Sequence, residues 1–395
     1  MFSTRTNWPR DLNPLAAALE HRRRLGLPIL DLTESNPTRA GFNCPRDAIL
    51  EALASPAAMQ YDPSPRGLRP AREAVARYYS HSGVSVDPER VVLATGTSEA
   101  YSHALRLLAN PGDEILRPSP SYPLFDFLAD LNDIRLVGYP LVYENGWRID
   151  LDHLRSLITA RARAIIVVNP NNPTGSFLRA DEAGVLINLA QSHDLALIVD
   201  EVFRDYSWDI GRRSTGERIV STADIDSCLT LTLNGLSKLS GLPQMKLAWT
   251  VVNGPSDVVA EALARLEVIA DTYLAVGTPV QHAAAALLEQ GGSLRRQILE
   301  RIRGNLALLD SMLPRGAPLY RLAAEGGWHA VLRLPRVRSD EQWAIDLLQA
   351  DGVYAHPGHF FGFAHGAHLV VSLLPEPQRF REGIEKIAGR VERSS

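Results

Sequence analysis

Between residues 91 and 252 short apolar runs alternate with longer amphipathic segments, and no other feature constrains the fold as much. The runs at 91–94, 114–116, 134–137, 164–168 and 196–199 read as strands, and the segments at 98–108, 122–131, 151–158 and 179–193 as the helices between them. Two more runs, 228–233 and 247–252, continue the pattern before a helix beyond Pro255. Strands apolar at nearly every position suit a sheet covered on both faces, and a helix after each strand is the connection that parallel neighbours require. The expected fold is α/β, with a large domain whose mainly parallel sheet is covered by helices on both faces. A smaller α/β domain is expected from the N- and C-terminal parts.

Outside that block, Asn13 is placed to cap a helix that starts at Pro14 and runs to about residue 24. A short strand at 29–32 enters the polar turn Glu34-Ser35-Asn36-Pro37-Thr38, and two helices follow, the second at 70–82. Toward the C-terminus, helical patterning over 279–313 is expected to break at Gly291-Gly292. Strands at 328–334, 353–356 and 369–372 and helices at 339–351 and 376–387 complete the tail. The expected division is an N-terminal segment 1–44 packing with the small domain, a large domain 45–275 and a small domain 276–395.

Composition narrows the class. A chain of 395 residues, 45% hydrophobic, has ample material for a large core, and a net charge of −4 gives no support for nucleic-acid or membrane-surface binding. Residues 1–10 carry no apolar core of signal-peptide length, and no apolar run approaches the ~20 residues that span a bilayer. Cys44 and Cys228 stand in unrelated contexts with no disulfide or metal-ligand spacing. A cytoplasmic protein is expected.

In parallel α/β sheets ligands gather at the carboxyl ends of the strands. After the first strand comes Thr95-Gly96-Thr97-Ser98-Glu99, entering a helix. Glycine, hydroxyls and a helix N-terminus together suit a phosphate, although Thr97 or Ser98 would also serve as an ordinary N-cap. After 164–168 comes Asn169-Pro170-Asn171-Asn172-Pro173-Thr174-Gly175, a rigid turn dense in carboxamides. Asp200 and Glu201 end the next strand, where a buried carboxylate needs a partner, either a salt bridge or a protonated ring nitrogen. Past the following strand, Ser237-Lys238 lies among small and polar residues, where a lysine that loses its proton can form a Schiff base. Cradle, amide turn, aspartate and lysine follow successive strands. A phosphorylated aldehyde with a ring nitrogen, as in pyridoxal 5'-phosphate, needs one of each.

With these motifs together the chain resembles the fold-type-I, class I/II pyridoxal-phosphate-dependent aminotransferases over nearly its whole length. The resemblance implies that Lys238 forms the Schiff base and moves the proton at the substrate α-carbon, and that Asp200 keeps the pyridine nitrogen protonated. It further implies Asn172 on the phenolic oxygen and Tyr122 on the ring face. Gly96, Thr97, Ser98 and Lys246 would hold the phosphate, with Ser237 also among the cofactor-binding residues. Tyr61 would reach the phosphate of a neighbouring subunit, so a homodimer is implied.

The departures from the family pattern are specific. Phe203 replaces a usual tyrosine, Gly235 a usual serine, and Lys246 a usual arginine, keeping its charge but losing bidentate geometry. Near the C-terminus Val370 occupies the position of the arginine that clamps the substrate carboxylate. His359, Arg66 and Arg333 are the candidate replacements, with His359 preferred for its glycine-bracketed loop. The reading is a transaminase moving an amino group between an amino acid or amine and a 2-oxo acid. The alternatives are another outcome on the same fold (β-elimination, decarboxylation or oxidation) and a non-catalytic regulator.

Overall fold

The structure is a computed structural model and describes residues 1–208, 217–313 and 316–394. Its centre is an eight-stranded sheet in the order Val91–Ala94, Ala248–Asn253, Thr230–Gly235, Ala196–Asp200, Ala162–Val168, Glu114–Ser119, Arg135–Tyr143, Trp147–Ile149. Ala248–Asn253 runs antiparallel to both its neighbours, and Trp147–Ile149 turns back against Arg135–Tyr143. The other pairings are parallel.

Alternation along each strand explains the two covered faces. Ile115, Ala164, Ile166, Ala196, Ile198, Leu231 and Leu233 pack against Ala100, Ala104 and Leu105 of helix Thr97–Leu108 and Val259, Ala262 and Leu266 of helix Ser256–Tyr273. The opposite positions, Leu116, Ile165, Val167, Leu197 and Val199, pack on Ala183, Leu186 and Ala190 of helix Ala180–His193. Burying each valine, leucine or isoleucine contributes about 1.5–3 kcal/mol, so strands apolar on both sides commit the sheet to the interior.

A second, antiparallel sheet has the order Tyr320–Arg321, His329–Leu334, Ala367–Ser372, His356–Pro357. Beside it Leu30–Asp31 pairs in parallel with Val353–Tyr354. Leu15 and Leu19 of helix Pro14–Arg24 join the core under this sheet, and Asn13 caps that helix by accepting from the Ala16 amide at 2.8 Å.

Three local expectations are corrected. The helix Thr278–Met312 is unbroken over 35 residues. Gly291 faces Ser240 so closely that a Cβ would overlap its side chain and Cα, so the glycine admits a crossing helix rather than ending one. The run 353–356 divides, its first half pairing with Leu30–Asp31 and its second joining the antiparallel sheet. The strand Arg135–Tyr143 extends well past 137 and returns through Glu144-Asn145-Gly146 as a hairpin, with Asn145 at φ 58.

Candidate functional site

Register brings the strand ends together. Val168 pairs with Asp200, and Asp200 with Leu233. The Asn169 amide donates to the Asp200 carbonyl at 2.8 Å, and the Glu201 amide to the Leu233 carbonyl at 2.8 Å. The amide turn, the aspartate and the lysine turn are therefore neighbours on one edge.

Asp200 is buried, and its carboxylate accepts from the Tyr101 hydroxyl at 3.2 Å and the Val202 amide at 3.0 Å. Burial raises its pKa to about 6 against the lowering effects of those two donors and the Lys238 charge. Lys238 lies on the one-turn helix Leu236–Leu239, its Nζ 4.9 Å from the Trp328 ring centroid and 5.8 Å from that of Phe203. Burial among these rings lowers its pKa, and the Asp200 charge only partly offsets the effect. A lysine held this way yields its proton more readily than one in water.

Gly96, with no side chain to cap with, is the N-cap of helix Thr97–Leu108, so neither Thr97 nor Ser98 is the cap. The amides of Glu99 and Ala100 both bond to the Gly96 carbonyl at 3.1 Å. Among the described residues the amides and hydroxyls of Thr97 and Ser98 have no hydrogen-bond partner. Lys246, at φ 52, brings its Nζ to 3.4 Å from where a Gly96 Cβ would stand. Free amides, free hydroxyls and a cation thus share one helix N-terminus.

In the amide turn the two adjacent asparagines differ. Asn171 is buried and bonded to Pro120, Thr174 and Ser121, a structural role. Asn172 is partly exposed, and its buried Oδ1 has no partner among the described residues. Tyr122 precedes helix Leu124–Leu131 and stands edge-on to Phe125 at 6.2 Å. Its pKa is raised by burial and then by the Asp200 charge. Phe203 is buried against Trp328 and Tyr206 as part of the wall behind Lys238. Ser237 is half-buried, and Tyr61 is exposed. Gly235 has a steric reason: a Cβ there would stand 2.9 Å from Ala248 Cβ on the paired strand.

The residues considered for a substrate carboxylate are scattered. Arg66 donates to the Glu89 carbonyl at 2.7 Å and forms an ion pair with Glu267 at 2.7 Å. His359 is held by Asp340, which accepts from its amide at 2.7 Å and lies 3.1 Å from its Nδ1. The Arg333 guanidinium has no hydrogen bond or ion pair among the described residues. Val370 is buried with Trp147, Leu322, Val331 and Phe361. Sequence reasoning missed His329, whose Nε2 is 3.1 Å from Ser35 Oγ, and His356. Burial, then Lys238, then His356 bring His329 down to about 3. The adjoining Trp-His step after two glycines was the available signal.

Known aminotransferases resemble this chain over nearly its whole length. The profile of the family described as aminotransferase class I and II matches residues 28–387. The glutamate–pyruvate aminotransferase AlaA of Escherichia coli K12 is 28% identical over 387 residues, covering 94% of this chain and 93% of its own. The alanine aminotransferase of Mycobacterium tuberculosis H37Rv is 30% identical, covering 93% of this chain and 87% of its own. A crystal structure of an aminotransferase from Escherichia coli superposes with a TM-score of 0.85 at 26% identity, covering 99% of this chain and 98% of its own. Members of the family use pyridoxal phosphate. Among the described residues no helix is long and apolar enough to cross a membrane. On a family profile that spans all but the ends of the sequence, this chain belongs to the class I and II aminotransferases.

Proposed function

We propose that this protein is a pyridoxal-phosphate-dependent transaminase that moves an amino group between an amino acid or amine and a 2-oxo acid. The observation that carries the reading is the buried Asp200 carboxylate one strand from a desolvated Lys238.

The residues present fit the cofactor. Among the described residues Asp200 is a buried acid lacking a bonded cation, Asn172 has an unpartnered buried oxygen, and the N-terminus at Gly96 has free donors beside Lys246. Gly96, Thr97, Ser98, Ser237 and Lys246 would hold the phosphate, Asn172 the phenolic oxygen, Asp200 the ring nitrogen and Tyr122 one ring face. Phe203, lacking the hydroxyl of a tyrosine, would contribute packing alone. Pyridoxal phosphate, when bound, supplies an aldehyde that condenses with amines and a ring that accepts the electron pair left by deprotonation of the substrate α-carbon. Lys238 then acts as the acid and base that removes and returns that proton. Asp200 keeps a proton on the ring nitrogen, and its fixed charge acts where positive charge must be held. Trp328 and Phe203 keep water from the lysine.

We also propose a homodimer in which Tyr61 serves the partner's phosphate site, a cytoplasmic location, and the division 1–44, 45–275 and 276–395. The pairing of Leu30–Asp31 with Val353–Tyr354 supports placing the N-terminal segment with the small domain. Helix Thr278–Met312 bridges the parts: Val280, Ala284 and Leu287 pack with Trp249, whereas Ile298, Ile302 and Leu309 pack with Trp328. His359, Arg66 and Arg333 stay candidates for contact with a substrate, the first two once a partner or ligand rearranges their present bonds.

The names of the relatives make glutamate, alanine and pyruvate the first substrates to assay. The expected result is a visible cofactor band that borohydride fixes to Lys238, with a new amino acid and a new 2-oxo acid formed in equal amounts. Lys238→Ala loses band and turnover together. Ammonia release, or an adduct on Lys246, overturns the proposal.

A further inference from the structure

Lys238 is held at both ends, and both holds come from one aromatic cluster. Its Nζ faces the rings of Trp328 and Phe203. Its main-chain carbonyl accepts from the Tyr206 hydroxyl at 2.7 Å and from the Gly241 amide at 3.1 Å, which occupies both lone pairs. Tyr206 is fully buried, its ring edge-on to that of Trp328 at 5.2 Å and to that of Phe203 at 6.4 Å. A helix of one turn, such as Leu236–Leu239, has little internal hydrogen bonding to hold it, so its shape depends on what its last carbonyls meet. Tyr206 is fixed in turn by residues 325–327. The Gly327 amide donates to the Tyr206 carbonyl at 2.9 Å, Ser207 bridges Gly326, and the Trp208 amide donates to the Glu325 carbonyl at 2.8 Å. The amides of Glu325 and Gly326 both donate at 3.0 Å to the carbonyl of Gly175, which ends the turn that carries Asn172. The approach needs glycine: a Cβ on Gly326 would stand 2.7 Å from the Tyr206 oxygen. Residues 325–327 thus tie two of the strand-end loops together and lead straight into Trp328.

We propose that Tyr206 is a positioning residue for the reaction: by holding the Lys238 carbonyl it keeps the lysine amine between the Trp328 and Phe203 rings. The proposal rests on the transaminase reading and adds a residue to that same site. A reacting group displaced by about 1 Å can lose about 100-fold in rate, so a hydrogen bond to the lysine main chain bears on chemistry as well as on folding. The Tyr206 hydroxyl has one proton, and the Lys238 carbonyl takes it. Asp200 and His329 are titratable groups whose charge interacts with the amine. Burial lowers the Lys238 pKa more than the Asp200 charge raises it, so an amine released from the rings into water titrates higher.

The chain has three lysines, Lys238, Lys246 and Lys386, so the amine can be measured directly. In the cofactor-free protein, trace acetic anhydride labels each lysine according to its unprotonated fraction. Mass spectrometry across pH 7 to 10 then reads Lys238 against Lys386, a helix-surface lysine of the same molecule. Lys238 of the parent is expected to titrate below Lys386, and Tyr206→Phe to move it toward Lys386. Tyr139→Phe is the matched control, because Tyr139 is also buried and its hydroxyl donates to a main-chain carbonyl, that of Ile166, at 2.7 Å. It loses the same kind of bond away from the lysine, so it shares the fall in thermal stability and leaves the Lys238 profile alone. In the cofactor-loaded enzyme with pyruvate as acceptor, Tyr206→Phe lowers kcat and kcat/KM together by roughly 3- to 10-fold, with KM within about twofold of the parent. Tyr139→Phe keeps the kcat of the parent. A Lys238 profile unmoved by Tyr206→Phe, or moved as far by Tyr139→Phe, overturns the assignment, as does a rise in KM at unchanged kcat. The labelling uses neither cofactor nor substrate, so it decides this inference even if no amino group is transferred.

Discussion

A carboxyl that titrates at about 6 inside the protein and at an ordinary 3.8 outside it binds its proton more tightly in the folded state. Below pH ~4 Asp200 is protonated in both states and costs nothing. Between pH ~4 and ~6 the unfolded chain ionises first, so stability falls as pH rises, and above ~6 the penalty is constant at about 3 kcal/mol. In the cofactor-free protein Asp200→Asn is therefore expected to raise the urea-unfolding free energy by about 3 kcal/mol at pH 7.5 and by only about 1 kcal/mol at pH 4.5. An unaltered difference between the two pH values would mean that Asp200 is already neutralised by the fold. The same substitution should cost the loaded enzyme several kcal/mol of transition-state stabilisation, because the ring-nitrogen proton loses its counter-charge. Lys238, Asp200 and Asn172 were legible in the sequence because polar residues ending buried strands need a reason to be there. His329 was not, since one histidine in Trp-His-Ala-Val-Leu reads as a core position. His359 drew attention through its glycines, and it is Asp340 that holds it. The loss of a serine at Gly235 was visible as a departure, but only the 2.9 Å approach of Ala248 supplies its cause.

Among the elements, the alternation over 91–252 carried the sheet because each strand is apolar and each connection helical. It could not report the hairpin to Trp147–Ile149, whose first strand contains Gly138 and Pro140 and so imitates a loop, although Asn145-Gly146 is a hairpin turn signal. Gly291-Gly292 misled for the opposite reason. A glycine inside a helix costs roughly 0.5–1 kcal/mol relative to alanine, so composition argues for a break. What retains the helix is a contact from elsewhere in the chain, Ser240, directly after the lysine turn. Gly291→Ala should therefore fail to give the usual gain in helix stability and instead push Ser240. The expected outcome is a fall in thermal stability together with a shifted absorbance of the bound cofactor on Lys238. Gly292, whose nearest neighbour is the end of Arg296, is the internal control: Gly292→Ala should stabilise by about 0.5–1 kcal/mol. If both substitutions stabilise, the helix does not press on the lysine turn.

At the scale of the whole molecule one exposed residue is out of place in a single protomer. Leu274 ends helix Ser256–Tyr273 at φ 67 and ψ 166, a region that side chains other than glycine rarely enter. Such a conformation costs about 1–3 kcal/mol, and 68% of the leucine surface is exposed. Val268 and Tyr273 on the same helix are also exposed. Apolar side chains so grouped are expected to be covered by the second copy proposed for the shared site. In a twofold interface each contact occurs twice, so burying Leu274 contributes about 3–6 kcal/mol in all. Leu274→Gly relieves the strain and removes the contact. Its isolated chain should resist unfolding at least as well as the parent at high dilution, while its dimer Kd rises 100-fold or more by analytical ultracentrifugation. Activity should fall with the dimer, since Tyr61 is then lost to the site it serves. A variant that sediments like the parent at every concentration, or a parent that turns over substrate as a monomer, would leave the helix end unexplained and Tyr61 without a shared role.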